Sequence, residues 1–399
     1  MLLRLWILII CAGAILGLSM GIRQGMGLFL TPISLHFGSG REAFALSMGL
    51  MNLFWGAAAP VAGAIADRYG AARVAAAGGV AYAAGLLVMM LSNSSDQLIL
   101  GGVLVGLGLS GAAFTVVLGA VGRATPEHMR SRALGLVSVG GSIGQLVALP
   151  YIHVMIDGFG WLVALGLLSA TALLIVPLAF GLATRTSQVP APDSQSLSEA
   201  LRSASRVPSF WLLNAGFLAC GFHLAFIGVH LPGFLADKGF DTWLAAAALA
   251  TVGFTNIIGV YICGVLGDLY AKKNVLSVLY LVRTALILMF ILTPVSEVSV
   301  LLFSAFMGFL WLGTVPLTSG LVGSLFGTRY MSMLFGIVFM GHQVGGFLGA
   351  WLAGIAFDRF GSYDVMWWLS IGLGLIAAAL HWPIKEHDAV QPALRAENA

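Results

Sequence analysis

Charge is scarce in this sequence. Of its 399 residues only 9% are Asp, Glu, Lys or Arg, while 59% are hydrophobic. A water-soluble domain cannot hide that much apolar surface, so the soluble class is excluded. Cysteine is nearly absent: Cys11, Cys220 and Cys263 all lie within apolar stretches. They offer neither a disulfide framework nor metal-ligand spacing and read as small packing residues. No GxxxxGK[ST] loop is present, which argues against ATP as the driving force, and no CxxC or HExxH pattern appears. No catalytic set, cofactor or metal is therefore expected. The basic residues form no stripe of the kind that tracks nucleic acid. The last scarcity matters most. All sixteen acidic residues fall in loops, at span ends or in the tail, so the expected membrane interior holds no carboxylate.

What is present is a series of continuous apolar runs near twenty residues. Their length and lack of alternation mark transmembrane helices rather than barrel strands. Twelve spans are expected, at 5–35, 43–66, 73–92, 97–122, 132–156, 160–183, 209–236, 243–266, 274–293, 297–323, 332–356 and 363–383. The 52 glycines suit close helix contact in lipid. The stretch after Arg4 runs on too far for a cleavable signal and lacks a convincing cleavage site, so it reads as the first span. One sizeable polar stretch, rich in Ser and Pro, separates the sixth and seventh spans. The expected organisation is a six-helix bundle over 1–183, a cytoplasmic linker over 184–208, a second six-helix bundle over 209–385 and a disordered tail over 386–399.

The cations orient the chain. With the N-terminus inside, fourteen of the nineteen Lys and Arg residues fall on the cytoplasmic side and three (Arg41, Lys238 and Arg359) outside. That bias follows the positive-inside rule and places both termini in the cytoplasm. The remaining two cations, Arg23 and Arg283, lie within spans.

The chain also repeats. GAIADRYGAARV at 63–74 matches GVLGDLYAKKNV at 264–275, an offset of 201 residues. The same offset carries Gly135 to Gly336, Gly144 to Gly345, Asp157 to Asp358, Phe159 to Phe360 and Gly160 to Gly361. One register held that long implies two parallel halves of six spans each.

GAIADRYGAARV resembles the signature that the major facilitator superfamily places in the cytoplasmic loop between its second and third helices. The weaker copy falls between the eighth and ninth, as in that family. The resemblance implies an all-α membrane protein, two pseudo-symmetric bundles rocking about a central site, and a monomer. It also implies that Asp67, Arg68 and Asp268 take part in gating, by capping helix N-termini or bonding Arg and backbone groups. Within the superfamily the chain looks most like bacterial relatives of the monocarboxylate and oxalate–formate carriers. That likeness is carried by IRQGMGLFLTPI at 22–33, WLGTVPLTSGLVGSLFG at 311–327 and FGIVFMGHQVGGFLGAWLAGIAFDRFGSYD at 335–364. It implies a multi-pass protein of the bacterial inner membrane. Two departures stand out. The first span lacks the acidic residue of many monocarboxylate carriers, and the eighth carries Asn256 where several members have an arginine.

The few polar residues near mid-span define the candidate substrate site. Arg23 comes first, because a cation in hydrocarbon costs about 2.5–3.5 kcal/mol on insertion scales. With no acid at that depth, its counter-charge is expected to arrive as an anionic ligand. Gln24, Gln145, His223, Asn256, Trp311, His342 and Gln343 complete the set. Gln145 either bonds substrate or bridges helices. His223 aligns with Ile22 under the offset, beside Arg23 in the repeat, which suggests that the two face one another. A histidine can donate to a carboxylate and titrate near neutral pH, which suits proton coupling. Arg283 either bonds within the second bundle or, if its helix faces the cavity, supplies a second anchor. The sequence thus points to a secondary carrier of small organic anions, with symport or exchange both open. Efflux of drugs or amphipaths is the alternative within the class, and a non-transporting membrane sensor the alternative outside it. Protons and membrane lipids are the other partners considered, and nucleic acid is not one.

Overall fold

The computed structural model describes residues 2–38, 40–125, 127–183, 197–326 and 331–386. Among them every regular element is helical. The long helices are α1 (Leu2–Gly25), α2 (Glu42–Tyr69), α3 (Ala71–Met90), α4 (Ser95–Ala112), α5 (Phe114–Ala124), α6 (Glu127–Leu173), α7 (Pro208–Asp237), α8 (Thr242–Leu269), α9 (Lys272–Leu292), α10 (Glu297–Phe309), α11 (Thr314–Phe326), α12 (Met331–Phe360) and α13 (Asp364–His381). Eleven stretches among the described residues are long and apolar enough to cross a membrane. One of them, Gly135–Leu182, runs for 48 residues and is broken at Gly160, where φ is +79° and ψ 161°. The expected linker residues 184–196 and tail residues 387–399 lie outside the described part.

Membrane helices gain little by burying apolar surface against one another, since lipid is equally apolar, so close van der Waals packing holds them. Small residues set two close seams, one in each half. A Cβ added at Gly144 of α6 would run into the Gly17 carbonyl of α1, and one at Gly345 of α12 into the Leu218 carbonyl of α7. Both members of this pair of contacts are related by the offset of 201 residues. So are the kinks at Gly160 and Gly361, which both take positive φ, at +79° and +65°. Further contacts join α3 to α4, α2 to α4 and α9 to α13, while α2 meets α12 and α6 meets α8.

Two spans are interrupted. Between α4 and α5 the backbone turns extended at Ala113 (φ −123°, ψ −156°), and between α10 and α11 the helix opens over 310–313. Broken helices at membrane depth are tolerated only where their freed backbone groups find partners in protein. The α10–α11 break shows how. Arg283 of α9 donates through Nη2 to the Leu310 and Trp311 carbonyls, the latter at 3.1 Å, and the Leu312 N–H donates to Asn256 Oδ1 at 3.0 Å.

At the centre stands α7, in which every residue from Ala219 to Gly233 is buried. A helix buried all round belongs to the interior of a bundle. Large apolar side chains such as Leu35, Tyr261, Leu269 and Leu292 are exposed instead, on the surface that a bilayer would cover.

Candidate functional site

Arg23 lies in the last turn of α1, just before a short 3-10 segment, Met26–Phe29. Its Nη2 donates to Asn52 Oδ1 of α2 at 2.8 Å, and its Nη1 to Gln24 Oε1 at 3.2 Å. The guanidinium carbon sits 5.2 Å from the Trp55 ring centre, within cation–π range. Asn52 is itself held by a bond from Nδ2 to the Met48 carbonyl at 3.1 Å. The Arg23 Nε is covered and has no protein partner. All the contacts of this cation are neutral: two amide oxygens aim the guanidinium, and neither discharges it.

Contacts lead from Arg23 onward to α12. Trp55 meets Phe339 edge-on with ring centres 5.3 Å apart, and Phe339 stacks on His342 at 5.6 Å with planes 6° apart. His342 also lies 4.7 Å from the Phe217 ring of α7, and its Nδ1 is 3.3 Å from Gln343 Oε1. Gln343 packs where α2 carries Gly56, with no side chain between. His342 Nε2 and the Gln343 amide nitrogen are buried without partners. Gln24 is buried facing Gly228 of α7. One run of contacts therefore gathers Arg23, Gln24, Asn52, Trp55, Phe339, His342 and Gln343 from α1, α2 and α12, against α7. It ends in three unpaired polar groups, Arg23 Nε, His342 Nε2 and the Gln343 amide. Arg23 Nε and the Gln343 amide are donors, a kind of buried group that is normally satisfied, whereas His342 Nε2 donates only in a protonated ring, because Nδ1 faces the Gln343 Oε1 acceptor. A carboxylate, which only accepts, is the complementary ligand.

The other expected site residues are placed elsewhere. His223 does not face Arg23. Its Nε2 lies 2.8 Å from the Ser370 carbonyl, which turns it onto α13 inside the second half. The repeat offset aligns two residues along their helices but does not fix the rotation of either helix. Asn256 bridges: Nδ2 donates to Ser142 Oγ of α6 at 3.0 Å, while Oδ1 accepts from the α10–α11 break. Gln145 takes the helix-bridging alternative, donating to the Leu249 carbonyl of α8 at 3.1 Å. Trp311 is fully buried at the break, its indole N–H unpaired. Arg283 bonds within its own half, to the break and to Cys220 Sγ at 3.4 Å, and Cys220 lies 3.2 Å from Thr314 Oγ1. The side chains of Asp67, Arg68 and Asp268 lie outside the described part. Asn52, Trp55 and Phe339 belong to the contact run without being among the expected site residues, and for Phe339 the sequence holds a signal. It lies one turn before His342 on the same helix face.

Long apolar helices around a cation aimed by neutral amides are the frame of a multi-pass membrane protein. The sequence matches the family model described as Major Facilitator Superfamily over residues 7–350, and the chain belongs to that superfamily. It is similar to monocarboxylate transporter 11 of Homo sapiens, 28% identical over 389 residues, 94% of this chain and 82% of that protein. It is also similar to monocarboxylate transporter 13 of Rattus norvegicus (27% identical, 94% and 89% of the two chains) and to an uncharacterised MFS-type transporter of Bacillus subtilis (27%, 86% and 85%). Among solved structures, a bacterial homolog of the human lysosomal transporter Spinster, inward-facing and unoccupied, superposes with a TM-score of 0.74 at 15% identity. The match covers 96% of this chain and 95% of that one.

Proposed function

We propose that this protein is a secondary transporter that moves small organic anions, monocarboxylates first among them, across the bacterial inner membrane by alternating access. The observation that carries the reading is Arg23: a cation in a membrane span with no carboxylate partner, its Nε free. A guanidinium stays charged at any working pH and can fork a carboxylate. Substrate would take up Arg23 Nε and displace one of the two amide oxygens, with the Gln343 amide, and His342 Nε2 when the ring is protonated, completing its shell. Trp55 and Phe339 would wall the apolar part of the ligand. The names of the human and rat relatives support a monocarboxylate.

In this reading the 48-residue stretch crosses twice, turning at Gly160. At about 1.5 Å per residue its length is roughly twice what one bilayer core requires. That makes twelve crossings in two bundles, 1–183 and 209–385, joined by the cytoplasmic linker 184–208, with both termini in the cytoplasm. Asp67 and Arg68, in the last turn of α2, and Asp268, in the last turn of α8, serve the gating of that face. Coupling uses a proton on His342 or on the substrate, or else exchange of one anion for another.

Replacement of Arg23 by Gln tests this. A hydrogen bond to a charged group contributes about 1.5–3 kcal/mol, so anion affinity should fall roughly 10- to 150-fold. Arg23→Lys should keep part of it. Unaltered uptake by folded Arg23→Gln protein would refute the anchor.

A further inference from the structure

At the end of the molecule where α2 begins, the two halves are tied by one charge cluster. Arg41, at the N-cap of α2, is buried. Its guanidinium forks the Asp237 carboxylate at the end of α7, Nη1 to Oδ2 at 2.7 Å and Nη2 to Oδ1 at 2.5 Å. Nη1 also donates to the Tyr363 hydroxyl at 2.6 Å, and the guanidinium carbon lies 3.7 Å from the Phe357 ring centre. This is the one salt bridge among the described residues. Burial alone would lower the Arg41 pKa, but the bonds to Asp237 and Tyr363 outweigh it and raise it, so the cation is held.

The same cluster supplies something that α2 lacks. A helix start leaves free N–H groups that a nearby side chain usually caps. α2 has no capping side chain of its own. Instead Asp358, at the end of α12, accepts from the Arg41 N–H at 2.9 Å and the Glu42 N–H at 2.8 Å, across more than 300 residues of sequence. The repeat makes this informative. The equivalent helix α8 is capped by its own Asp241, which accepts from the Trp243 N–H at 2.7 Å, and Asp157, the counterpart of Asp358, is exposed. One half borrows its helix cap from the other, and the other is self-sufficient. Beneath the cluster Tyr363 continues to His230 Nδ1 at 3.1 Å, and Ala45 packs where α12 carries Gly354.

We propose that Arg41, Asp237, Asp358 and Tyr363 form a latch that holds this end of the molecule closed, and that its release is the step admitting substrate from that side. The inference rests on the alternating-access reading above. These are positioning residues: none belongs to the contact run around Arg23. Because α2 carries Asn52 and Trp55, opening the latch would also move two of the groups that aim and cover Arg23.

The test reads the latch without reading transport. Hydrogen exchange of the full chain in proteoliposomes is followed by mass spectrometry on peptides covering 41–46 and 355–363. Asp237→Asn leaves the Asp358 cap intact yet removes the charge that holds Arg41. Amide exchange should rise at least tenfold in both peptides together, with Arg41→Lys falling between the two, and Tyr363→Phe giving a smaller rise. Arg23→Gln should leave both peptides at the wild-type rate, which keeps failure of the latch separate from failure of the anion site. Exchange in Asp237→Asn and Tyr363→Phe equal to wild type would overturn the latch, as would a rise confined to one of the two peptides. A rise spread over the whole chain in every variant would also overturn it, showing the cluster to be a general fold contact.

Discussion

Arg283 can be separated from Arg23 by one substitution. In the structure it serves a broken helix: its guanidinium meets the Leu310 and Trp311 carbonyls and the Cys220 sulfur. Glutamine at 283 has a single donor nitrogen on a shorter chain in place of two guanidinium nitrogens, so it cannot keep both carbonyls and the Cys220 contact. A buried acceptor left unpaired costs about 1–3 kcal/mol. Removing the cation returns part of that cost, because a desolvated charge with no acid beside it is itself unfavourable. The net expectation for Arg283→Gln is a loss of about 1–2 kcal/mol in unfolding free energy. The assay is paired: unfolding in mixed micelles, and carboxylate affinity measured on the folded fraction. Stability should fall while affinity stays within about twofold of wild type, well short of a tenfold step of 1.4 kcal/mol. Arg283→Lys, which keeps the charge but loses the planar fork, should still be destabilised. Lost affinity in a protein of undiminished stability would make Arg283 a second anion anchor and refute the division of labour between the two arginines.

Three further outcomes are expected. Gly345→Val should prevent the α7–α12 seam from closing, because its side chain would meet the Leu218 carbonyl, and Gly144→Val should do the same to α1–α6; yield of folded, monodisperse protein is the measure, and full yield of either variant would contradict the seams. His342→Gln should weaken carboxylate binding in protein that stays folded, and unchanged affinity would remove His342 from the site. Trp55→Ala strips the covering ring from Arg23 and Phe339, so affinity for carboxylates with larger apolar bodies should fall more than affinity for acetate; equal losses for both would deny Trp55 a role in selecting substrate.

Much of this could be read from the sequence because the lipid constraint is severe. Long apolar runs, a lone arginine inside one of them and glycines 201 residues apart each have few physical explanations, and the helices, the seam at Gly144 and Gly345 and the isolation of Arg23 all answer to them. What could not be read depends on rotation and on breaks. His223 was aligned with the neighbour of Arg23, yet the helix turns it to Ser370. Asn256 was expected at the substrate, yet it serves a helix break, which hydrophobicity does not reveal because the residues around 310–313 are as apolar as the helices they join. Arg41 was counted only towards topology, since its partners at 237, 358 and 363 lie some two to three hundred residues away.

The proposed transport requires Arg23, a cation paired only with neutral amides, to take up an anion. Thermal unfolding of purified wild-type and Arg23→Gln protein against small carboxylates, their uncharged amides, sugars and hydrophobic cations tests it most directly. A ligand that binds only the folded state adds RT ln(1 + [L]/Kd), about 2.7 kcal/mol at a hundredfold excess over Kd. A carboxylate should stabilise the wild type, its amide should not, and the effect should be lost in Arg23→Gln. Stabilisation by hydrophobic cations alone, or by carboxylate equally in both proteins, would contradict it.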